Sequence, residues 1–386
     1  MKQDATLLQG GSYFHPSGKF IKADILLQNG KIKRISPNFD EGRCRKLDLH
    51  GRRIIPGFID VHIQGAGGSD CQEGSAEALN TMSATLAREG TTSFLATTVM
   101  VPGENNEHLP AINEIMKHSL DGAHLLGTHL EGPFINPVKK GGIIPRAIGQ
   151  SSPELFKKVL TLCGDSLKMM TIAPELEGNL DLIKELKKEG IIAAFGHSDA
   201  DYEQTLAGID AGISHITHLF NAMRPIHHRE PGPLVALMET PGITAQVISD
   251  GKHIHPAVVR LAYNILGKDR ITLITDGMSG LGLGDGYYEY IGRKYISENG
   301  TSRYPNGTLN GTTVGLNALT KRFCRFTGCA YEEAVAMGTS NPARLLGIYD
   351  SKGSIEEGKD ADLIIIDSDN EVVTTFCSGR IAYTRE

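Results

Sequence analysis

The sequence predicts a (β/α)8 barrel of the TIM type, joined to a small β-sandwich that both chain ends build together. Eight apolar, strand-like runs alternate with helix-like segments along the middle of the 386-residue chain. Polar and titratable residues stand at the ends of most of these runs, which is typical of barrel enzymes. A doubly wound open sheet is the structural alternative. Its dinucleotide-binding version is disfavoured because no GxGxxG follows the first run.

The predicted sandwich takes residues 1–55 and 346–386. Residues 25–27 and 31–35 read as strands around an Asn29-Gly30 hairpin turn. At the other end, residues 361–367, 372–376 and 380–383 read as strands, with a turn at Ser378-Gly379. Neither set of short strands can bury an apolar face alone, so we expect the two ends to pack together.

The predicted barrel spans residues 56–345. Leu182, Ile183 and Leu186 illustrate the helical periodicity between the runs. A Gly- and Tyr-rich stretch at 282–310 predicts a β-hairpin insertion after the eighth run, and helices are expected at 316–326 and 331–339. The eight strand-like runs are 54–61, 92–99, 124–130, 168–173, 191–196, 213–217, 243–249 and 271–275.

Composition excludes several classes of function. A net charge of −6 and a pI near 6.2 give no basic field for nucleic acid or an acidic membrane. No apolar run approaches the roughly 18 residues of a membrane span. The six cysteines are scattered without a CxxC, which predicts reduced thiols, and the N-terminus lacks the apolar stretch of a signal peptide. We therefore expect a cytoplasmic protein.

Three side chains at predicted strand ends form a candidate metal site. Glu131 follows the third run, His197 the fifth and His218 the sixth. One carboxylate and two imidazoles suit a divalent transition metal, with zinc first and iron, cobalt or manganese as alternatives. Three protein ligands leave an open position for a water, whose pKa the ion lowers. Taken singly, each histidine could instead be a packing residue, and Glu131 a surface or helix-cap carboxylate.

Two further features surround this set. Asp276 ends the eighth run and could be a further ligand, the general base for the bound water, or a helix N-cap. The loops at 221–232 and 250–256 carry clustered histidines with Arg229. Such a cluster suits an anionic group such as a phosphate monoester, with an ordinary solvated loop as the alternative.

Several segments together carry a family resemblance. The chain resembles the amidohydrolase superfamily and, within it, the N-acetylglucosamine-6-phosphate deacetylase family. The similar segments cover nearly the whole chain in order. They are PGFIDVH (56–62), HLEGP (129–133), GHS (196–198), THLFNAM (217–223), HREPG (228–232), DGKH (250–253), TD (275–276) and GKDADL (358–363).

The resemblance implies a role for each candidate. Glu131, His197 and His218 would hold the main metal, with His62 as a further candidate ligand. Asp276 would be the catalytic acid/base, and His253 would help to polarise the acetyl carbonyl. The reaction would release acetate from an N-acetylhexosamine 6-phosphate. The family acts as a dimer, in which the arginine matching Arg229 reaches the neighbouring site. The implied substrate-binding residues are Asn221, Ala222, Arg229, Asp250, His253, Gly142, Ile143, Leu309, Asn310 and Gly311.

The chain departs from the family pattern around the substrate. Gln64 stands where many members have the second histidine of a His-x-His pair, which favours one tightly bound ion. Ile143 replaces an expected histidine, Asn310 a small residue, and the run from Gly277 to Gly280 is unusual. We therefore keep three alternatives: a galactosamine-epimer substrate, a cyclic amide or ureide substrate, and a barrel that binds sugar phosphates without turnover.

Overall fold

The N-terminal part of the chain forms strands of two different sheets. The computed structural model describes residues 5–37, 39 and 44–385, so parts of the predicted N-terminal unit, including residues 1–4, lie outside the described residues. Gln28 pairs with Lys31 across Asn29 and Gly30, whose positive φ angles of 52° and 77° form the predicted two-residue turn. The strands are β1 (Ala5–Gln9), β2 (Ser12–His15), β3 (Lys19–Lys22), β4 (Asp24–Gln28), β5 (Lys31–Ser36), β6 (Arg45–Asp48) and β7 (Arg53–Pro56).

The middle of the chain builds an eight-stranded parallel sheet with helices between its strands. Its strands follow one another in chain order, as βαβ units require. They are β8 (Phe58–Ile63), β11 (Thr91–Thr98), β12 (His124–Glu131), β13 (Leu167–Ile172), β14 (Ile192–Phe195), β15 (His215–Ile216), β16 (Thr244–Val247) and β17 (Ile271–Leu273), while β9 (Gly65–Ala66) and β10 (Ser69–Asp70) form a small ribbon. The helices are α1 (Ala76–Arg88), α2 (His108–Ile115), α3 (Pro153–Cys163), α4 (Asn179–Lys188), α5 (Tyr202–Ala211), α6 (Gly232–Glu239) and α7 (Pro256–Leu266).

The first and last strands of this sheet meet at one end of the barrel. The peptide nitrogen of Asp276 donates to the carbonyl of His62 at 2.9 Å, and Ile63 forms an isolated parallel bridge with Gly277. The hydroxyl of Thr275 donates to the buried carboxylate of Asp60, whose pKa burial raises to about 6. These contacts join the carboxyl ends of β8 and β17, where a barrel enzyme places its site.

The remaining elements return the chain to the first sheets. A four-stranded antiparallel sheet follows β17, and three helices lead from it to the C-terminal strands. These elements are β18 (Gly286–Tyr290), β19 (Arg293–Glu298), β20 (Thr301–Arg303), β21 (Leu309–Thr312), α8 (Leu316–Thr327), α9 (Tyr331–Gly338), α10 (Ser340–Leu345), β22 (Leu363–Ile366), β23 (Val372–Cys377) and β24 (Arg380–Thr384).

Both chain ends share one apolar core outside the barrel. One sheet has the order β5-β4-β1-β6 and the other β24-β23-β22-β7-β2-β3. Leu8 and Ile25 from the first sheet pack in one cluster with Ile54, Leu363 and Phe376 from the second. The predicted fold class, a TIM-like barrel with a separate β-rich unit, is confirmed. The division at residues 55/56 and 345/346 stays a prediction.

The first strand-like run differs from its prediction. Residues 54–61 were expected to form one barrel strand, but the run divides between β7, which pairs with β22, and β8, which pairs with β11. The break falls at Gly57, where an added Cβ would lie 2.0 Å from the hydroxyl oxygen of Thr92. The chain therefore passes from one unit to the other at a point where only glycine fits. Among the described residues, no helix has both the length and the apolar character needed to cross a membrane.

Candidate metal centre and its cavity

Four candidate residues stand at the carboxyl ends of barrel strands. Glu131 is the last residue of β12, while His197, His218 and Asp276 follow β14, β15 and β17. These last three have positive φ angles of 48°, 27° and 48°. Non-glycine residues adopt this conformation only where their surroundings hold them there, and such residues cluster at functional sites.

Glu131, His197 and His218 meet in a buried triangle of ligand atoms. Glu131 Oε1 lies 3.0 Å from Nε2 of His197 and 3.0 Å from Nε2 of His218, and the two nitrogens are 3.0 Å apart. In a tetrahedral zinc site, bonds of about 2.0–2.1 Å place neighbouring ligand atoms about 3.3 Å apart. The spacing of the triangle therefore fits three ligands of one divalent ion.

The protonation of His197 supports the same interpretation. Its Nδ1 lies 2.8 Å from the carbonyl oxygen of Lys139, which can only accept a hydrogen bond. A neutral ring therefore carries its proton on Nδ1, and Nε2 presents a lone pair to Glu131 and His218. A cation among these lone pairs removes their mutual repulsion.

His62 and Gln64 lie beside the triangle. His62 Nε2 is 3.7 Å from Glu131 Oε1 and 3.2 Å from Asp276 Oδ1, and its Nδ1 is 2.9 Å from Gln246 Oε1. Burial opposes protonation of His62, but Asp276 and Glu131 outweigh it and raise the pKa of His62 to about 9. The Gln64 amide donates to Asp276 Oδ1 at 3.0 Å, so Gln64 orients that carboxylate.

Asp276 is an ionised carboxylate next to the triangle. Burial would raise its pKa, but the neighbouring His62 outweighs burial and lowers the pKa of Asp276 to about 2. Burial would also raise the pKa of Glu131, but its neighbours, His62 first among them, outweigh burial and hold that pKa well below its usual range. The helix N-cap alternative for Asp276 is wrong, because no described helix begins between it and Gly315, the residue that precedes α8.

His253 is held in place by a carboxylate. Its Nδ1 lies 2.8 Å from Asp250 Oδ2, and Asp250 also accepts from the hydroxyl of Thr301 at 3.1 Å. Although burial opposes it, the His253 contact lowers the pKa of Asp250. Nδ1 of His253 is thereby engaged, and the ring lines the cavity beside the triangle.

A cavity of about 360 Å³ opens above these residues. Its walls include the triangle, Asp276 and Gln64. Two of the predicted substrate-binding residues do not line it: Arg229 is exposed with its guanidinium against His228, and the Asp250 side chain is covered by His253 and Thr301. The other predicted substrate residues do line it, namely Gly142, Ile143, Asn221, Ala222, His253, Leu309, Asn310 and Gly311.

The insertion supplies lining residues that the sequence did not identify. Tyr290, Arg303 and Tyr304 come from the sheet after β17 and border the cavity. The Tyr290 hydroxyl, the Asn310 amide nitrogen and Gln64 Oε1 are buried and have no hydrogen-bond partner within the described ranges. Unpaired buried polar atoms are costly, so their presence around one cavity points to a polar ligand. The Tyr-rich composition of an insertion placed after the eighth strand was the signal available in the sequence.

Comparisons with known proteins find relatives over most of the chain. A sequence model of the amidohydrolase family matches residues 53–382. The N-acetylglucosamine-6-phosphate deacetylase of Bacillus subtilis (strain 168) is 42% identical over 334 residues, which cover 86% of this chain and 84% of that protein. The N-acetylgalactosamine-6-phosphate deacetylase of Escherichia coli O157:H7 is 33% identical over 330 residues, covering 85% and 87%. The crystal structure of N-acetylglucosamine-6-phosphate deacetylase from Pasteurella multocida superposes with a TM-score of 0.92 at 29% identity, over 99% of this chain and 100% of that one.

Proposed function

The chain belongs to the amidohydrolase family, and from that premise we propose that it hydrolyses the N-acetyl group of N-acetylglucosamine 6-phosphate to acetate and glucosamine 6-phosphate. The observation that carries the proposal is the Glu131–His197–His218 triangle with Asp276 beside it, at the base of a cavity of about 360 Å³. The similarity to deacetylases of this sugar phosphate over most of the chain supports the substrate class.

We propose that Glu131, His197 and His218 hold one divalent ion, zinc first, with iron, cobalt or manganese as alternatives. When bound, such an ion lowers the pKa of a coordinated water and polarises a carbonyl oxygen. His62 remains a candidate for a further contact. Its ring already faces Gln246 on one side and Asp276 on the other, which favours a single tightly held ion.

Asp276 moves the proton in the proposed reaction. Its low pKa keeps it ionised at neutral pH, so it can accept a proton as water oxygen bonds to the acetyl carbon. It then returns that proton to the sugar nitrogen as the carbon–nitrogen bond breaks. Gln64 holds the carboxylate in position by its 3.0 Å hydrogen bond. His253, which donates from Nδ1 to Asp250, can direct Nε2 to the acetyl oxygen; when the ring carries a proton on both nitrogens, it stabilises the developing negative charge.

The rest of the cavity suits the sugar phosphate. Asn221 and Ala222 lie on the loop after β15, and Gly142, Ile143, Leu309, Asn310 and Gly311 line the walls. We propose that these residues contact the substrate. We further propose a homodimer in which the exposed Arg229 reaches the neighbouring cavity. We also propose a cytoplasmic location, which suits the free thiols of Cys71, Cys163 and Cys377.

A second candidate substrate is N-acetylgalactosamine 6-phosphate, which the name of the similar Escherichia coli O157:H7 deacetylase specifies. The amide nitrogen of Asn310 is buried without a partner in the described part of the chain, and Ile143 presents an apolar surface to the same cavity. A free donor can select one orientation of a sugar hydroxyl, because a site built to bind a hydroxyl group rejects the substrate that fails to present it.

The test joins metal analysis with acetate release. The purified protein is analysed for bound metal and assayed with both N-acetylhexosamine 6-phosphates and with a cyclic ureide. We expect about one ion per chain and acetate from at least one of the two sugar phosphates. Turnover of the ureide alone would move the chain to a different amidohydrolase activity. Binding of sugar phosphate without acetate release by metal-loaded protein would support the non-catalytic alternative.

A further inference from the structure

The cavity lining formed by the described residues contains one permanently positive side chain, to which the proposed function assigns no role. Glu131 and Asp276 place two carboxylates at its base. Arg303 is the one lysine or arginine that the described part of the chain contributes to its lining. A substrate that carries a phosphate dianion needs a permanent positive charge near it, and arginine suits phosphate because of its planar, multiple donors.

Most of the Arg303 guanidinium is uncommitted. Nη1 donates to the carbonyl oxygen of Gly307 at 3.2 Å, and no carboxylate of the described residues lies within ion-pair distance. The contact with Gly307 fixes the side chain against the turn between β20 and β21, which itself lines the cavity. The remaining donors are therefore held at the wall and are available to a ligand.

The position of Arg303 relates it to His253. Thr301 and Arg303 are two residues apart on β20, and side chains with that spacing lie on one face of a strand, roughly 7 Å apart. Thr301 contacts Asp250, which holds His253. Arg303 and His253 therefore border the same part of the cavity, on the side supplied by the insertion.

We propose that Arg303 binds the phosphate of the substrate within the same subunit, as a specificity-determining residue. The inference rests on the proposed function and deepens it. Arg303, supplied by the insertion, would let the cavity select phosphorylated sugars. The selection would then not depend only on Arg229, which lies outside the cavity lining.

The test compares a substrate with and without its phosphate. Arg303→Met, Arg303→Lys and the matched control Lys294→Met, an exposed lysine of β19, are assayed for acetate release from N-acetylglucosamine 6-phosphate and from N-acetylglucosamine. We expect Arg303→Met to lower kcat/KM for the phosphorylated sugar by about 10- to 100-fold through KM, because charge-assisted hydrogen bonds are lost. Activity on the unphosphorylated sugar should stay within about twofold, since the base of the cavity is untouched.

The two further variants sharpen the result. Arg303→Lys should recover part of the loss, because lysine keeps the charge without the planar donor set. Lys294→Met should match the wild type. Equal losses on both substrates would overturn the proposal, because they indicate a structural role, and so would an unchanged preference for the phosphorylated sugar.

A binding measurement separates this proposal from the proposed function. Calorimetry with glucose 6-phosphate and with glucose needs no acetyl group and no turnover. Binding of glucose 6-phosphate to the wild type that is lost in Arg303→Met supports the role of Arg303, even if no acetate is released. Equal affinity for glucose 6-phosphate in both proteins overturns the proposal, whatever the activity of the wild type.

Discussion

Two clusters of largely buried ionisable side chains differ in the hydrogen bonds of their polar atoms. At the interface between the barrel and the terminal sheets, Asp362 accepts from His124 Nε2 at 3.3 Å, from the Ser378 peptide nitrogen at 2.7 Å and from the Lys352 amine. Lys352 also contacts Asp360 at 2.9 Å. At the mouth of the barrel, three ligand atoms instead face one another at 3.0 Å, and Gln64 Oε1 has no hydrogen-bond partner among the described residues.

The comparison shows that ionisable residues of the same types can serve either stability or chemistry. In the interface cluster (His124, Lys352, Asp360 and Asp362), the Lys352 amine contacts two carboxylates, and Asp362 also accepts from His124, as stability requires of ions largely shielded from water. The Tyr290 hydroxyl and Gln64 Oε1 at the cavity have no partner among the described residues and can pair with a ligand instead. Carboxylates and imidazoles occur in both clusters, and the unpaired polar atoms around the cavity distinguish the second.

The largest effect is expected where the triangle loses its charge. Glu131→Gln keeps the shape of the side chain but removes the ionised ligand, so bound metal should fall and acetate release should drop by more than about 1,000-fold. Elemental analysis and the acetate assay measure both quantities. Glu185→Gln, on the exposed side of α4, is the matched control. A variant that keeps a full complement of metal and near-normal activity would remove Glu131 from the ligand set.

The second prediction separates proton transfer from metal binding. Asp276→Asn should keep the metal while kcat falls by about 100- to 10,000-fold, because the amide cannot accept the proton from water. Metal content and kcat are measured on the same preparation. If metal is lost together with activity, Asp276 is a ligand rather than the acid/base.

The third prediction concerns the interface cluster. Asp362→Ala leaves the Lys352 amine with one carboxylate fewer and should lower the free energy of unfolding by about 3 kcal/mol. Urea unfolding measures the change, while kcat of the folded variant should stay near the wild-type value. Asp181→Ala removes an exposed ion pair with Lys184 and should cost less than about 1 kcal/mol. A loss of activity without a loss of stability would contradict the structural role of Asp362.

The stability that Asp362 provides should depend on pH in a defined direction. Burial opposes its ionisation, but His124 and then Lys352 outweigh burial and lower the pKa of Asp362. A carboxylate with a lowered folded-state pKa stabilises the protein above its unfolded pKa of about 3.9, and the contribution disappears as pH falls through the lowered value. The stability difference between wild type and Asp362→Asn should therefore be constant from about pH 7 to pH 5 and shrink below about pH 4.

The smallest predicted effect comes from an unpaired hydroxyl in the cavity. Tyr290→Phe removes a buried group without a partner among the described residues, so stability should be unchanged or slightly higher. Acetate release should nevertheless fall about tenfold in kcat/KM, because a substrate hydrogen bond is lost. Tyr287→Phe, 84% exposed in the same insertion, is the control. Normal activity of Tyr290→Phe would mean that water, not substrate, pairs with this hydroxyl.

The sequence indicated the barrel and the candidate metal site because both depend on local pattern. Alternating runs specify parallel strands, and Glu131, His197 and His218 directly end or follow such runs. In a barrel, the carboxyl ends of all strands lie on one face. Residues that are distant in the chain could therefore be predicted to lie close together in space.

The remaining features depend on register and orientation, which local pattern does not specify. Whether Tyr290 and Arg303 face the cavity depends on how the four insertion strands pair and on which face of their sheet turns inward. A shift of the strand register by one residue would move both side chains to the opposite face. The division of residues 54–61 was missed for a related reason. The apolar run is continuous, and the break at Gly57 is required by Thr92, a residue far along the chain.

The junction at Gly57 also ties the two units together mechanically. Its peptide nitrogen donates to the carbonyl of Asp362 at 2.9 Å, so the hinge-like position between β7 and β8 is clamped by the C-terminal segment. Unfolding of the terminal sheets would therefore displace the first barrel strand, β8, which carries His62 and precedes Gln64. We therefore expect the chain to melt in a single cooperative step, and chimaeras that exchange the terminal sheets between relatives to require this glycine and its threonine neighbour as a matched pair.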